Sequence, residues 1–395
     1  MGLATFDLDI DHLPQSLALA HGQDGAFVLL RVAGKPVGQA ILGRAALSVE
    51  MPLRRKLMMA ANSSFWEAFL QRELGVARLH EPEIERPECT VVICTRDRTD
   101  DLRRCLEGLR NLVCTPSILV VDNAPSSDSS RELVRQFPTV QYVREEMPGL
   151  DVARNRAIRE TESEVIAFID DDAVPDPMWL EALLMGFSDP TILAVGGLTL
   201  ALELEAPAQI AFQREGGFSR GFSPRVFDAL STNPFDAWQA AAGVNLAIRR
   251  SAVEAIGYFD EALDAGTLSC AGGDTDYCRR ILKAGYKIGY RPQAINWHRH
   301  RRSMAELQQQ IFGYECAFFA ILTKALFFEK DMKALVRALS WFRQQIPSVL
   351  RSLPLFRRKR SVPFNIAWTQ FCGAMVGPTR YLRARRVAHR RSAHG

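Results

Sequence analysis

From Cys89 onward, short apolar runs alternate with helical segments. "TVVICT" precedes "DDLRRCLEGLRNL", "SILVVDN" precedes "SSRELVRQF", "VQYVRE" precedes "LDVARNRAIRE", and "EVIAFIDDD" precedes "PMWLEALLMGF". Strands rich in β-branched residues and joined by helices of about 10 to 13 residues belong in βαβ units, where a mostly parallel sheet is covered on both faces. The pattern predicts an α/β domain of that architecture. Each run ends in polar residues: Thr95-Arg96-Asp97, Asp122-Asn123, Arg144-Glu145 and Asp170-Asp171-Asp172. In a parallel sheet these carboxyl ends share one edge, where helix N-termini also converge and ligands bind.

The most acidic of these ends lies in "VIAFIDDDAVPDPMWL". Along an extended segment side chains alternate, so Asp170 and Asp172 share a face and Asp171 takes the other. Two carboxylates on one face repel unless a cation lies between them, and oxygen ligands at this density suit Mg²⁺ or Mn²⁺. Asp176-Pro177 reads as the N-cap and first residue of a helix, which leaves Asp176 without a catalytic role.

Four further clusters are candidates. In "GGDTDYCRRIL", Asp274 and Asp276 open a helix after a Gly pair, which fits either a cap or a general base approaching a hydroxyl. Asp122, in "VVDNAPSSDSS", can accept from a ring N–H of a base such as uracil, or form an Asx turn. Arg154 and Arg156, early in "GLDVARNRAIRE", can stabilise a diphosphate or be surface residues. His298 and His300, in "NWHRHRRS", share a face if the segment is a strand, and each is a candidate ligand or a solvated basic residue.

Several classes are disfavoured. There is no GxxxxGK[ST] loop, the first sheet strand ends "CTRDR" rather than in GxGxxG, and no GxSxG marks a nucleophile. The eight cysteines fall at no metal-ligand spacing, which favours a reduced, cytosolic setting. The start "MGLATFDLDIDHLPQ" lacks the pattern of a signal peptide. The nearest approach to a membrane span, residues 311–328, is interrupted by Glu315 and Lys324.

Three regions are expected. Residues 1–87 form an accessory β/α module, with a hairpin turning at Gly34-Lys35-Pro36 and a helix over "RRKLMMAANSSFWEAFLQREL". Residues 88–302 hold the α/β domain, with a long irregular insertion at 201–240. Residues 303–395 read as basic helices. The chain's net charge is +4, yet residues 332–395 carry 14 Lys and Arg and no Asp or Glu, which leaves −10 for residues 1–331. Such a basic, aromatic tail suits an anionic membrane surface; no nucleic-acid-binding motif accompanies it.

Taken in order, "VVICTRDR", "VVDNAPSSD", "GLDVARNRAI", "FIDDDAVPDPMWL", "AAGVNLAIRRSAVEAIGYFDEAL" and "GGDTDYCRRIL" resemble the motifs of the family 2 glycosyltransferases with a GT-A fold. The resemblance implies inverting transfer of a sugar from a nucleoside-diphosphate sugar, a UDP-sugar being favoured, to an acceptor hydroxyl. It implies that the turn at Thr95 and Arg96 binds the nucleotide, Asp122 the base and Arg154 the diphosphate. Asp170 and Asp171 would address ribose and sugar. Asp172 would hold Mn²⁺ or Mg²⁺ together with Asp170, His298 would be a further ligand, and Asp274 would be the base. Gly273 stands where the family usually has Glu, so the acceptor contact of that Glu is absent or falls to Asp276. No QxxRW motif follows, which favours transfer of one or a few sugars over polymer synthesis. A glycan or lipid-linked acceptor, an envelope or exopolysaccharide product, and a cytoplasmic place at the inner face of the membrane complete the expectation. The alternatives are nucleotidyl transfer to a sugar phosphate, and a non-catalytic nucleotide- or glycan-binding module.

Overall fold

The computed structural model describes residues 2–48, 53–58, 63–75, 86–352 and 363–392. Twelve strands run in chain order among them. The first three are β1 (Gly2–Asp9), β2 (Gln23–Val32) and β3 (Lys35–Gly43), and then come β4 (Cys89–Thr95), β5 (Ser117–Asn123), β6 (Val140–Glu145) and β7 (Val165–Asp170). The remainder are β8 (Ala173–Pro175), β9 (Ile192–Ala201), β10 (Arg225–Phe227), β11 (Asn245–Arg249) and β12 (Lys287–His298).

The main sheet has the order β10-β12-β9-β11-β7-β4-β5-β6, with β8 paired to β12. Strands β6, β5, β4 and β7 are mutually parallel, as are β9 and β12, whereas β11 runs antiparallel between β7 and β9. The sheet is therefore parallel-dominated, as the βαβ pattern predicts. The reason is visible in the two faces. Val91, Ile93, Val120, Ala167 and Ile169 pack on one side with Leu102, Leu106, Trp179 and Leu183. Val92, Leu119, Val121, Ile166 and Phe168 pack on the other with Ala153, Ile158, Tyr277 and Ile281. Each such side chain taken from water contributes about 1.5–3 kcal/mol, so an unbroken apolar run is stable only as a strand with both faces covered. The chain leaves β4 toward β5 and β6 on one side and returns to β7 on the other, which sets a topological switch point beside Thr95 and Asp170.

The expected hairpin is present: β2 and β3 are antiparallel around Ala33 and Gly34, both at positive φ. Sequence reading missed β1, which runs parallel to β2. Alternation along β2 gives this small sheet two partners. Ala26, Val28, Leu30 and Val32 face its own helices, Leu53–Met58 and Ser63–Glu73, while Phe27 and Leu29 pack on Leu198, Leu200 and Ile295 of the main sheet. The expected single helix over 54–74 is thus described as two segments, with residues 59–62 outside the described set; so is most of the expected linker, at 76–85.

Two other expectations are corrected. The helix after Asp176-Pro177 starts at Trp179, with Met178 as its N-cap. Asp176 Oδ1 instead accepts the Met178 N–H at 3.2 Å and its Oδ2 accepts from Arg31 at 2.6 Å, so this aspartate ties the two sheets together. The segment 201–240 is not irregular throughout: it contains the helix Pro207–Arg214, strand β10 and the 3-10 helix Pro234–Gln239.

Three helices close the chain: Met304–Phe327, Lys333–Ser352 and Phe364–Ser392. Gly373 and Gly377 let the third approach the first so closely that a Cβ at either would meet the Phe312 or Cys316 carbonyl at 2.5 Å. Met304–Phe327 is long and apolar enough to cross a membrane, and half of its apolar window is buried inside the protein. The two charges that interrupt its apolar stretch are engaged: Glu315 accepts from Trp341 at 3.0 Å, and Lys324 pairs with Asp260 at 2.8 Å and Asp276 at 2.6 Å.

Candidate active site

The carboxyl edge of the main sheet carries the candidate residues. β7 ends at Asp170, and the turn that follows folds Asp171 and Asp172 back toward β12, whose last residue is His298. Asp170, Asp172 and His298 each offer a ligand atom within 4.8 Å of the others. Asp172 and His298 are both buried, and their Oδ1 and Nε2 atoms are 3.1 Å apart. Yet Asp172 Oδ1 has no aligned hydrogen-bond donor. Two lone pairs directed at a common point, rather than at each other, suit a cation between them. An ion at roughly 2.1 Å from each ligand puts neighbouring ligand atoms about 3 Å apart, so the residues fit a small divalent ion.

The histidine is held for that task. His298 Nδ1 lies 3.0 Å from His300 Nδ1, and His300 Nε2 lies 3.2 Å from Gln213 Oε1. Gln213 offers only an oxygen there, so His300 donates from Nε2 and accepts at Nδ1 from His298. His298 then presents the Nε2 lone pair toward Asp172. Burial drives the His300 pKa down to about 3, with His298 adding to the shift, so the relay imidazole stays neutral. His300, a candidate ligand by sequence, is instead the support behind the ligand. Burial opposes charge on His298, and Asp172 more than restores it, so its pKa is raised.

Electrostatics separates the three aspartates. Burial, then Asp172, pushes Asp170 up to about 6. Burial and Asp172 likewise push Asp171 up to about 7, against Arg98 and a hydrogen bond from Thr95. Asp172 is held below the carboxylate range, because His298 and Arg98 outweigh its burial. Asp171 is not among the three clustered ligand atoms: Thr95 Oγ1 donates to it at 2.7 Å, and Arg98 Nη1 bridges it, at 3.2 Å, to Asp172, at 3.0 Å. Thr95 is thereby buried and engaged, whereas Arg96 is exposed at the mouth of the cleft.

Asp122 is fully buried at the end of β5. Tyr142 donates to its Oδ2 at 2.9 Å, and its Oδ1 is left without a partner. Burial raises its pKa against the Tyr142 hydrogen bond. A buried acceptor that nothing in the protein satisfies is where a ligand N–H belongs.

Asp274 lies in the first turn of the helix Gly273–Lys283. Its Oδ2 accepts the Gly243 N–H at 2.6 Å and its Oδ1 the Thr275 N–H at 2.7 Å. Burial and the nearby Asp264 raise its pKa. Arg154 lines the smaller cavity. Its guanidinium is buried between Asp151 at 2.9 Å and Asp264 at 2.6 Å. The arginines that line the cleft around Asp170–Asp172 are Arg96, Arg98, Arg301 and Arg380, and among the described residues Arg301 carries no ion pair. Gly273 is explained by packing: a Cβ there would overlap the Asp151 carboxylate, so a larger residue must displace it. Asp276 takes no acceptor contact. It is fully buried and bound by Lys324 at 2.6 Å, Arg279 at 2.8 Å and Arg280 at 2.9 Å. Burial opposes its charge, and these three cations outweigh it, leaving its pKa lowered.

Two cavities adjoin here. One, of about 760 Å³, includes Thr95, Arg98, Asp170, Asp171, Asp172, His298 and Arg301 among its lining residues. The other, of about 510 Å³, includes Asp274, Arg154, Trp238 and Trp341. Asp170 lines both and so stands at their junction. Sequence reading missed Arg98, Asp151, Asp264, Gln213 and Arg301. The i,i+3 spacing of Asp151 and Arg154 was the one local signal for any of them.

The Glycosyl transferase family 2 profile matches residues 90–257. Residues 90–257 are thus similar to the glycosyl transferases of family 2. The parallel-dominated sheet and its helices accord with the GT-A fold of that family. The chain is 28% identical over 238 residues to a pre-mycofactocin glycosyltransferase of Mycobacterium tuberculosis, covering 59% of this chain and 48% of that protein. It is 28% identical over 235 residues to glycosyltransferase AglE of Haloferax volcanii, covering 57% and 71%. It is 26% identical over 253 residues to a probable glycosyltransferase, YdaM, of Bacillus subtilis, covering 58% and 54%. The chain thus spans about half the length of the mycobacterial relative.

Proposed function

We propose that this chain is an inverting, metal-dependent glycosyltransferase that moves a sugar from a nucleoside-diphosphate sugar to an acceptor hydroxyl. One observation carries the reading. A carboxylate–imidazole cluster and a separate carboxylate, Asp274, open on adjoining cavities that meet at Asp170. The donor lies in the larger cavity, which Asn123 lines at the end of β5; the neighbouring Asp122, whose Oδ1 is orphaned but covered, would take the base N–H of a UDP-sugar once the cavity wall opens to it. Asp170, Asp172 and His298 would hold the ion, and the mixed oxygen and nitrogen donors favour Mn²⁺ over Mg²⁺. Bound there, it supplies positive charge against the departing diphosphate. Arg301 adds a cation on the same side. Asp274, fixed by two backbone N–H groups, takes the acceptor proton as the hydroxyl attacks from the smaller cavity. Thr95 and Arg98 bind Asp171 beside the metal cluster.

Thermal shift with a panel of nucleotide sugars tests this. A UDP-sugar is expected to raise Tm in the presence of Mn²⁺ and not after chelation; no shift with any donor would remove the transferase reading.

We further propose that residues 88–302 are the catalytic domain and 1–87 an accessory module. Residues 303–395 would bring the enzyme to the cytoplasmic face of a membrane, where it adds one or a few sugars to a glycan or lipid-linked acceptor of the envelope or an exopolysaccharide. Support comes from the helix Lys333–Ser352, where Leu335, Leu339, Ile346 and Leu350 form one exposed apolar stripe in a region with no acidic residue. Vesicles containing phosphatidylserine are expected to sediment the protein at 0.15 M salt, and the double variant Leu339→Glu/Ile346→Glu to stay in solution. Equal sedimentation of the two would exclude this face.

A further inference from the structure

The smaller cavity has a densely aromatic lining. Phe212, Phe218, Trp238, Tyr314, Phe318 and Trp341 contribute six aromatic rings, three of them from the C-terminal helices. Most of its polar side chains are already engaged, apart from Asp170 at the junction of the cavities and the Nε of Arg337. Glu315 accepts from Trp341 at 3.0 Å and from Gln370 at 3.3 Å, Arg337 donates to Asp236 at 2.6 Å, and Thr275 contacts Asp274. Arg220 stands 5.3 Å over the Trp238 ring and donates to the Trp238 and Ser219 carbonyls. A sugar ring entering this space buries several hydroxyls at once, and each needs a partner or carries its full desolvation penalty. Such partners are scarce here, whereas apolar surface is not.

We infer that the acceptor is an amphiphile: a hydroxyl directed at Asp274 and, beside it, an apolar aryl or alkyl body seated on Trp238, Phe318 and Trp341. This rests on the transferase reading and adds the acceptor's chemical class to it. The two halves of the cavity explain why the class is built in. The segment matched by the family 2 profile contributes Trp238, while Phe318 and Trp341 come from helices that pack against it through Lys324, Asp260 and Asp276. The same C-terminal unit carries the exposed apolar stripe, on the face of its helix Lys333–Ser352 opposite Trp341.

Matched glycosides separate the apolar contribution from the hydroxyls. Phenyl and hexyl β-glucosides, titrated calorimetrically into the full chain with Mn²⁺ and UDP, are expected to bind at least tenfold more tightly than methyl β-glucoside. Trp238→Ala and Phe318→Ala should each close most of that gap; Trp238 is 46% exposed, so its removal spares the core. Equal affinity for the three glucosides, or a gap that survives both substitutions, would overturn the inference. Mn²⁺-dependent binding of the nucleotide sugar in the same samples is the separate readout. Donor binding without preference for phenyl or hexyl glucoside sinks the acceptor class alone. A preference without donor binding supports the apolar seat and sinks the transferase reading.

Discussion

Asp274→Asn is expected to lower kcat by about a thousandfold, equivalent to about 4 kcal/mol of transition-state stabilisation. Asparagine keeps the size of the side chain but has one oxygen, so it can accept only one of the Gly243 and Thr275 N–H groups; unchanged Mn²⁺-dependent donor binding shows that the fold and the donor cavity remain. What it cannot do is take a proton. The pH profile supplies the sharper test. Asp274 acts only when deprotonated, and burial with Asp264 raises its pKa, so kcat/KM should fall as pH drops through a value above the ordinary carboxylate range. That acid limb should disappear in the variant. An unchanged kcat in Asp274→Asn would remove the base assignment, and an acid limb that persists would assign it to another group.

The second large effect is on the metal. Asp172→Ala removes the oxygen nearest to His298 Nε2 and is expected to weaken Mn²⁺ binding by about a hundredfold or more, with the Mn²⁺-dependent donor shift lost. Electron paramagnetic resonance of free Mn²⁺ measures this without turnover. The relay behind His298 gives a graded control: His300→Leu leaves all three ligand atoms in place but frees the His298 ring, so a loss of about 10- to 100-fold is expected. Retention of wild-type Mn²⁺ affinity by Asp172→Ala would exclude the cluster as the metal site.

The parallel sheet was legible because its cause is local. A strand covered on both faces must be apolar throughout, and the four runs from Cys89 to Asp170 say so residue by residue. The expected pairing of Asp170 with Asp172 occurs in the cluster with His298, but not by strand alternation: β7 ends at Asp170, and the turn at Asp171–Asp172 brings the second carboxylate there. The errors have other origins. Asp176 and Asp276 both read as residues at helix starts. Asp176 is bound by Arg31, 145 residues away, which no window of sequence shows. Asp276 has Arg279 and Arg280 at i+3 and i+4 in its own helix, a local signal that sequence reading missed, and Lys324, 48 residues away, completes its neutralisation. Arg154 looked free because Asp264 lies 110 residues downstream.

Sequence alone therefore determined the α/β architecture, the acidic edge at Asp170–Asp172, the importance of the Gly273–Asp274 turn and the basic character of the tail. Tertiary structure decided which charges are spent and which remain. A buried carboxylate is set by whatever cation the fold brings to it: Asp276 is neutralised by Lys324 and two arginines, while Asp122 and Asp172 each keep an unsatisfied oxygen. The cavity beside Asp274 is the clearest case. Its walls come from segments more than a hundred residues apart in the chain, and its apolar lining exists only once the C-terminal helices have packed against the sheet domain.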